Sequence, residues 1–226
     1  MKTFNDDQKL KDLFLKEAKE HQRADRYLQG TYEKDTEDGW KGCAVGCAIK
    51  TLNDKLGKDY AHNNHAALEQ ELGIPEWLWR LEDNIFEHLP KDKAMQWPVR
   101  FIEALPVGKT KEEMDRVKWQ FQMSLLKENI ERVSRLDIDE KLKTQVLDAI
   151  RAVLVVHENA LITGVWDDYA AESAAWSAEG AARNAVWSAE SAVWSAESAE
   201  SAGWSVRSAA SARNADELVR LLEEAK

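Results

Sequence analysis

The chain has 226 residues, of which 31 are lysine or arginine and 41 are aspartate or glutamate, so its formal net charge at pH 7 is −10. This acidic balance argues against a protein that wraps nucleic acid through a basic surface, and it leaves room for basic partners. Its two closely spaced cysteines, Cys43 and Cys47, do not form a disulfide framework. We therefore expect a reducing, cytoplasmic setting.

Neither a secretory signal nor a membrane span is expected. The N-terminal residues, MKTFNDDQKLKDLF, contain no apolar segment of the kind that a signal peptide needs. The longest purely aliphatic run is Val153–Val156, far short of the roughly 20 residues that cross a bilayer.

Helical periodicity dominates the first part of the chain. Apolar residues recur at steps of three and four from Leu10 to His21, and Gly30 closes that segment. Residues 31–42 are polar and interrupted by glycines, which predicts a loop. A short helix is expected over Cys43–Leu56.

Capping residues and prolines divide the next part. Asn64 is expected to cap a helix that stops at Gly73, and Pro75 is expected to begin a helix that runs to Pro90. All four prolines fall between residues 75 and 106, which indicates short helices and corners there.

Two capping boxes precede the long helices of the middle region. Thr110 with Glu113, and Asp137 with Glu140, have the spacing at which two side chains satisfy free backbone donors reciprocally. Apolar residues at helical spacing follow each box. Because no stretch alternates with a period of two, the fold class predicted is all-α.

Residues 172–215 consist of little but Ala, Ser, Glu and Trp. Their alanines recur every three or four residues, which is a coiled-coil heptad seam with alanine in place of leucine. The tryptophans border this small-residue face, so we expect an assembly surface. The interface residues predicted are Trp176, Trp187, Trp194, Trp204, Ala185, Ala189, Ala192 and Ala196.

The length of this segment limits how it can be arranged. A single helix from Trp166 to Glu224 would be on the order of 90 Å long, whereas a globule of the remaining size is about 30–40 Å across. We therefore predict an irregular helical globule over residues 1–163, and over residues 164–226 a long Ala/Ser/Trp-rich helix that folds back as a hairpin or pairs with a second copy.

We expect a homodimer that buries the Ser-Ala face between helices. Replacing Ala189 and Ala196 with leucine should overpack the seam, weaken the dimer by a few kcal/mol, and therefore raise the monomer fraction. Light scattering across the micromolar range measures this. A wild-type monomer throughout that range would favour the intrachain hairpin instead.

The sequence GCAVGC, followed by HNNH, contains the strongest candidate for a chemical site. Two thiolates and two imidazoles, from Cys43, Cys47, His62 and His65, would suit a structural zinc ion, although H-x2-H is shorter than usual. The glycines before both cysteines equally indicate a small-residue helix face packed on a neighbour. We favour this packing, with no cofactor and no metal needed for folding.

Two further possibilities are a catalytic role for Cys43 and a metal site formed by the carboxylates of residues 82–87. Cys43 could lie at a helix N-terminus, which lowers a thiol pKa, with His62 or His65 as its base. The segment LEDNIFEH could hold a metal, but it lacks the second Glu-x-x-His motif of a di-iron bundle. We expect a solvated charged face for its candidate ligands, which are Glu82, Asp83, Glu87 and His88.

The motifs Gly42-Cys43, Gly46-Cys47 and Gly73-Ile74-Pro75-Glu76-Trp77-Leu78, with Glu82-Asp83, carry a resemblance. Residues 40–110 resemble a family of uncharacterised proteins from bacterial, prophage and phage genomes that end in an Ala-rich helical tail. The resemblance implies a phage or mobile-element context, with the host cytoplasm as the location, and it brings no activity with it.

These observations favour a non-enzymatic interaction protein, a modulator or inhibitor of a host protein or defence complex. The alternatives are an enzyme with a Cys43 nucleophile or a Cys/His metal site, and a helical oligomer that sequesters a small molecule or nucleotide. Affinity capture from host lysate, compared between wild type and a Trp187→Ala/Trp194→Ala variant, distinguishes the first from the others.

Overall fold

A computed structural model of the chain describes residues 1–174 and 199–226. Within that part, the prediction of an all-α fold is confirmed apart from one small hairpin. A 3-10 turn (Thr3–Asp6) precedes the first α-helix, and residues 168–174 are also helical. The helices are α1 (Gln8–Arg23), α2 (Ala44–Leu56), α3 (His65–Leu72), α4 (Glu76–His88), α5 (Lys91–Ala94), α6 (Trp97–Ala104), α7 (Lys111–Ser134), α8 (Glu140–Thr163) and the C-terminal helix (Ala199–Glu224).

The loop predicted over residues 31–42 contains an antiparallel hairpin. Its strands are β1 (Lys34–Thr36) and β2 (Gly39–Lys41), and the Thr36 hydroxyl donates to the Gly39 carbonyl at 2.7 Å. Gly39 has a φ of 100°, which glycine adopts without the strain of a side chain. Strands of three residues are too short to give an alternating pattern, which is why the sequence indicated a loop.

Most of the predicted helix boundaries depend on caps, and the structure tests them individually. Gly73 ends α3 in the left-handed conformation, and Thr110 and Glu113 exchange the two hydrogen bonds of a capping box before α7. The second predicted box is wrong. Asp139, not Asp137, caps α8, because its carboxylate accepts from the Leu142 N–H at 2.9 Å.

The chain divides into two compact units that differ from the predicted domains. One unit comprises Met1–Met114 with Ser205–Lys226, and the other comprises Asp115–Trp204. The C-terminal residues belong to the first unit because their apolar stripe is buried there and Asp216 pairs with Arg100 at 2.8 Å. The buried stripe consists of Ala215, Leu218, Leu221 and Leu222.

The core of the first unit determines where the polar residues of α4 lie. Helices α1 and α6 pack together, while α2 and α3 both pack against α4. The largest fully buried side chains come from α4 and α6 and from the turn before α1, namely Trp79, Phe86, Trp97, Phe101 and Phe4. Since these aromatics fill the interior, α4 is enclosed on more than one side.

In the second unit, the Trp119 and Trp166 rings stack with their centroids 6.4 Å apart, and His157 Nε2 lies 3.0 Å from Gln122 Oε1.

No helix of the described ranges is both long enough and apolar enough to traverse a bilayer. Apart from Trp204, which lies in the C-terminal helix, the predicted interface residues lie outside the described residues. The dimer and the interaction function remain predictions.

Candidate metal centre

The glycines of GCAVGC allow another segment to approach α2 closely. A Cβ built on Gly42 or Gly46 would overlap the carbonyl oxygen of Tyr32. The Cys43 N–H donates to the Thr31 carbonyl at 2.7 Å, which fixes the same segment. This agrees with a small-residue face packed on a neighbour, and it holds the Tyr32 ring within reach of α4.

Cys43 is the N-cap of α2. Its side chain is 1% exposed, and its sulfur accepts a hydrogen bond from the Gly46 N–H at 3.4 Å. The sequence predicted that a helix N-terminus would lower the thiol pKa. In the structure, burial and the nearby Asp83 carboxylate raise the pKa of Cys43 instead, which disfavours a free thiolate nucleophile.

His65 is the first residue of α3, and Asn64 caps that helix as predicted. Its Nδ1 lies 3.1 Å from the Asn63 carbonyl. Because a carbonyl only accepts, Nδ1 carries the hydrogen and Nε2 of the neutral ring has a free lone pair. Nε2 lies 3.4 Å from Asp83 Oδ2 but has no hydrogen-bond partner among the described residues, and the side chain is 5% exposed.

Helix α4 contributes two carboxylates that are four residues apart and therefore share a face. Asp83 Oδ2 accepts from the Tyr32 hydroxyl at 3.0 Å, while Asp83 Oδ1 is buried and has no hydrogen-bond partner in the described part of the chain. Glu87 Oε2 accepts from the Gly30 N–H at 2.6 Å. Each carboxylate is thus fixed by a hydrogen bond to one of its two oxygens, and the second oxygen takes no part in that hydrogen bond.

Three of these side chains converge on one point. One ligand atom each from Cys43, Asp83 and Glu87 lie within 4.8 Å of one another, and His65 approaches the same cluster through Asp83. Thiolate, imidazole and carboxylate are the groups that zinc takes from proteins. In metal sites, the histidine ligand usually donates the N–H of its second ring nitrogen to a carbonyl or carboxylate, and the carboxylate ligands accept further hydrogen bonds. His65, Asp83 and Glu87 show the same arrangement.

The metal-binding set predicted from the sequence is only partly brought together. Cys47 is buried, with its sulfur 3.6 Å from the Gly42 carbonyl, and His62 Nδ1 lies 2.6 Å from Glu33 Oε2. Cys47 and His62 therefore have other neighbours, whereas Cys43 belongs to the cluster and His65 Nε2 lies 3.4 Å from Asp83 Oδ2.

The expectation of a solvated face on α4 is wrong for Glu82, which is buried, and for Asp83, whose side chain is 14% exposed. His88 is less enclosed, with its Nδ1 bonded to the Asn84 carbonyl at 2.8 Å. Asp83 and Glu87 are the candidate ligands that the sequence interpretation assigned to solvent. Their spacing of four residues is visible in the sequence. The sequence interpretation nevertheless rejected a metal site there because the second Glu-x-x-His motif of a di-iron bundle was missing.

No protein-family model, curated protein or solved structure matches this chain.

Proposed function

We propose that this protein binds one divalent transition metal ion, for which zinc is the best fit, through Cys43, His65, Asp83 and Glu87. The observation that carries the proposal is the convergence of three ligand atoms within 4.8 Å beside a buried imidazole nitrogen without a partner. Four ligands complete the tetrahedral shell of a structural zinc site.

The donor set selects the class of ion. One sulfur, one nitrogen and two carboxylate oxygens suit zinc and its borderline neighbours better than magnesium or calcium, which prefer oxygen alone. The surrounding hydrogen bonds from Tyr32 and Gly30 hold the carboxylates in place before the ion arrives. Preorganised ligands lower the conformational cost of binding.

The role that fits these positions is structural. The ligands come from the N-terminus of α2, the first turn of α3, and the middle and last turn of α4, so one ion would cross-link three helices. It also supplies a partner for His65 Nε2 and Asp83 Oδ1, whose burial without one is costly. Binding energy at such a site adds to the free energy of folding.

The test uses the whole chain, purified without added metal, loaded with zinc or cobalt and freed of excess ion. We expect one zinc per chain by elemental analysis, and with cobalt a thiolate-to-metal charge-transfer band. Cys43→Ser should abolish that band, because serine preserves the N-cap of α2 but is a poor ligand. Asp83→Asn and His65→Gln should weaken binding at least tenfold, and Tyr32→Phe about tenfold.

Cys47→Ser and His62→Gln are the matched controls, since each removes a residue of the same type from outside the cluster. Both variants should keep full metal content and the cobalt spectrum. Loss of the ion in these two variants would indicate the Cys43/Cys47/His62/His65 set instead. Wild-type protein that takes up neither ion would overturn the proposal.

A further inference from the structure

The carboxyl group of Glu82, on α4, lines a pocket that is separate from the metal cluster. The pocket encloses a cavity of about 20 Å³, enough for a group about the size of a water molecule, and it opens to solvent. It is lined by residues of α1, α2, α4 and α6 and by Tyr27. Four of its lining side chains are the aromatic rings of Phe14, Tyr27, Trp79 and Phe101. An apolar pocket with a few polar groups is the usual form of a small-molecule site.

Glu82 brings an unpaired carboxyl group to this pocket. The side chain is 1% exposed, and neither of its carboxyl oxygens has a hydrogen-bond partner among the described residues. The indole N–H of Trp97 does not supply one, because it donates to the Glu82 backbone carbonyl at 3.2 Å. A buried polar group in this state requires an explanation.

The cluster proposed for the metal does not explain Glu82. Successive residues of a helix are about 100° apart around its axis, so Glu82 and its neighbour Asp83 face different directions. Glu82 lines the pocket together with Cys47 and Thr51 of α2, whereas Asp83 faces Tyr32 and His65.

We propose that this pocket binds the ammonium group of a small organic amine, with the Glu82 carboxylate as its counter-ion. An ammonium group donates hydrogen bonds and accepts none, which matches the two free carboxyl oxygens. A charged donor supplies the strong, short hydrogen bonds that a buried carboxylate needs.

Most of the remaining walls fit the same ligand class, although the indole N–H of Trp79, which also lacks a partner among the described residues, gains no acceptor from an ammonium group. Aromatic faces attract a cation, and four aromatic rings line the same pocket as the carboxyl group. Tyr27 and Thr51 donate their hydroxyl hydrogens to the carbonyls of Ala18 and Cys47, which leaves the Tyr27 oxygen as an acceptor, while the Thr51 oxygen also lies 3.4 Å from His21 Nε2. The aliphatic side of the pocket, Pro98 and Ile102 of α6, accommodates a short hydrocarbon tail.

The experiment compares n-butylammonium chloride with n-butanol, which has the same tail and no charge, by isothermal titration calorimetry on the protein as purified. We expect the ammonium compound to bind at least tenfold more tightly than the alcohol. Glu82→Gln, which keeps the shape but removes the charge, should weaken n-butylammonium binding at least tenfold. Ala48→Leu, which fills the pocket from α2, should weaken both ligands.

Glu76→Gln is the matched control, because Glu76 lies on the same helix and pairs with Arg80 outside the pocket. Its affinity for n-butylammonium should equal that of wild type, and equimolar sodium chloride should give no binding heat. Equal affinity for the two ligands, unchanged binding by Glu82→Gln, or no binding at millimolar ligand would each overturn the proposal. The metal content of these variants stays at the wild-type level if the two sites are separate.

Discussion

Gly46→Ala is expected to lower the free energy of unfolding by about 3 kcal/mol, although alanine normally stabilises a helix relative to glycine by about 1 kcal/mol. The added methyl group would overlap the Tyr32 carbonyl oxygen, which belongs to the backbone and cannot rotate away. Either α2 or the segment around Tyr32 must shift. Urea denaturation of the metal-free protein measures the change.

Gly57→Ala serves as the control for this substitution. Gly57 ends the same helix with a φ of 64° and has open space around its Cα, so its replacement costs about 1 kcal/mol from backbone strain alone. Gly46→Ala should also weaken metal binding, since displacing Tyr32 removes the hydrogen bond that anchors Asp83. Unchanged stability would mean that the close contact at Gly46 is absent in solution.

The sequence was most informative where a single residue determines local conformation. Gly73 could be identified as a helix end because glycine adopts the left-handed conformation with little strain. Thr110 and Glu113 could be identified because the capping box needs only two side chains of one segment. Such features depend on neighbours in the chain and not on tertiary packing.

The candidate site could be predicted only in part because its ligands come from separate elements. Cys43 and His65 were recognised as metal-binding residue types, but their partners were sought among residues of the same types. Asp83 and Glu87 were assigned to solvent, which is the usual place for carboxylates on a helix. Their burial depends on how α2 and α3 dock on α4, and a single sequence does not specify that docking.

The placement of the C-terminal residues is a second feature that the sequence interpretation did not predict. The monotonous composition of residues 172–215 indicated a separate assembly segment extending to the end of the chain. Leu218, Leu221 and Leu222 lie at helical spacing just beyond it and are buried in the first unit. Their pattern was visible in the sequence, but an apolar stripe does not identify the surface that covers it.

Glu82→Met is expected to raise the free energy of unfolding by about 2 kcal/mol near neutral pH, measured by urea denaturation. Methionine has a similar length and needs no hydrogen-bond partner, so it removes the cost of burying an unpaired carboxyl group. Burial raises the pKa of the Glu82 carboxyl well above its ordinary value. The gain therefore depends on pH.

The sign of that dependence follows from proton binding. Below the ordinary carboxyl pKa, Glu82 is protonated in both the folded and the unfolded chain, and it adds no electrostatic difference. As pH rises above that value, the unfolded chain releases the proton while the folded chain without bound amine retains it, so wild type loses stability relative to Glu82→Met. The gap between the two proteins should therefore widen as pH rises from below to above the ordinary carboxyl pKa.

A gap of constant size across this range would contradict the assignment of Glu82 as a buried, raised-pKa carboxyl group. Glu76→Gln, which alters an exposed ion pair, should change stability by less than about 0.5 kcal/mol at either pH. Residues that break local rules at a cost in stability are found mainly at functional sites. A Glu82→Met variant that is more stable than wild type but no longer binds n-butylammonium would show that Glu82 serves ligand binding at a cost in stability.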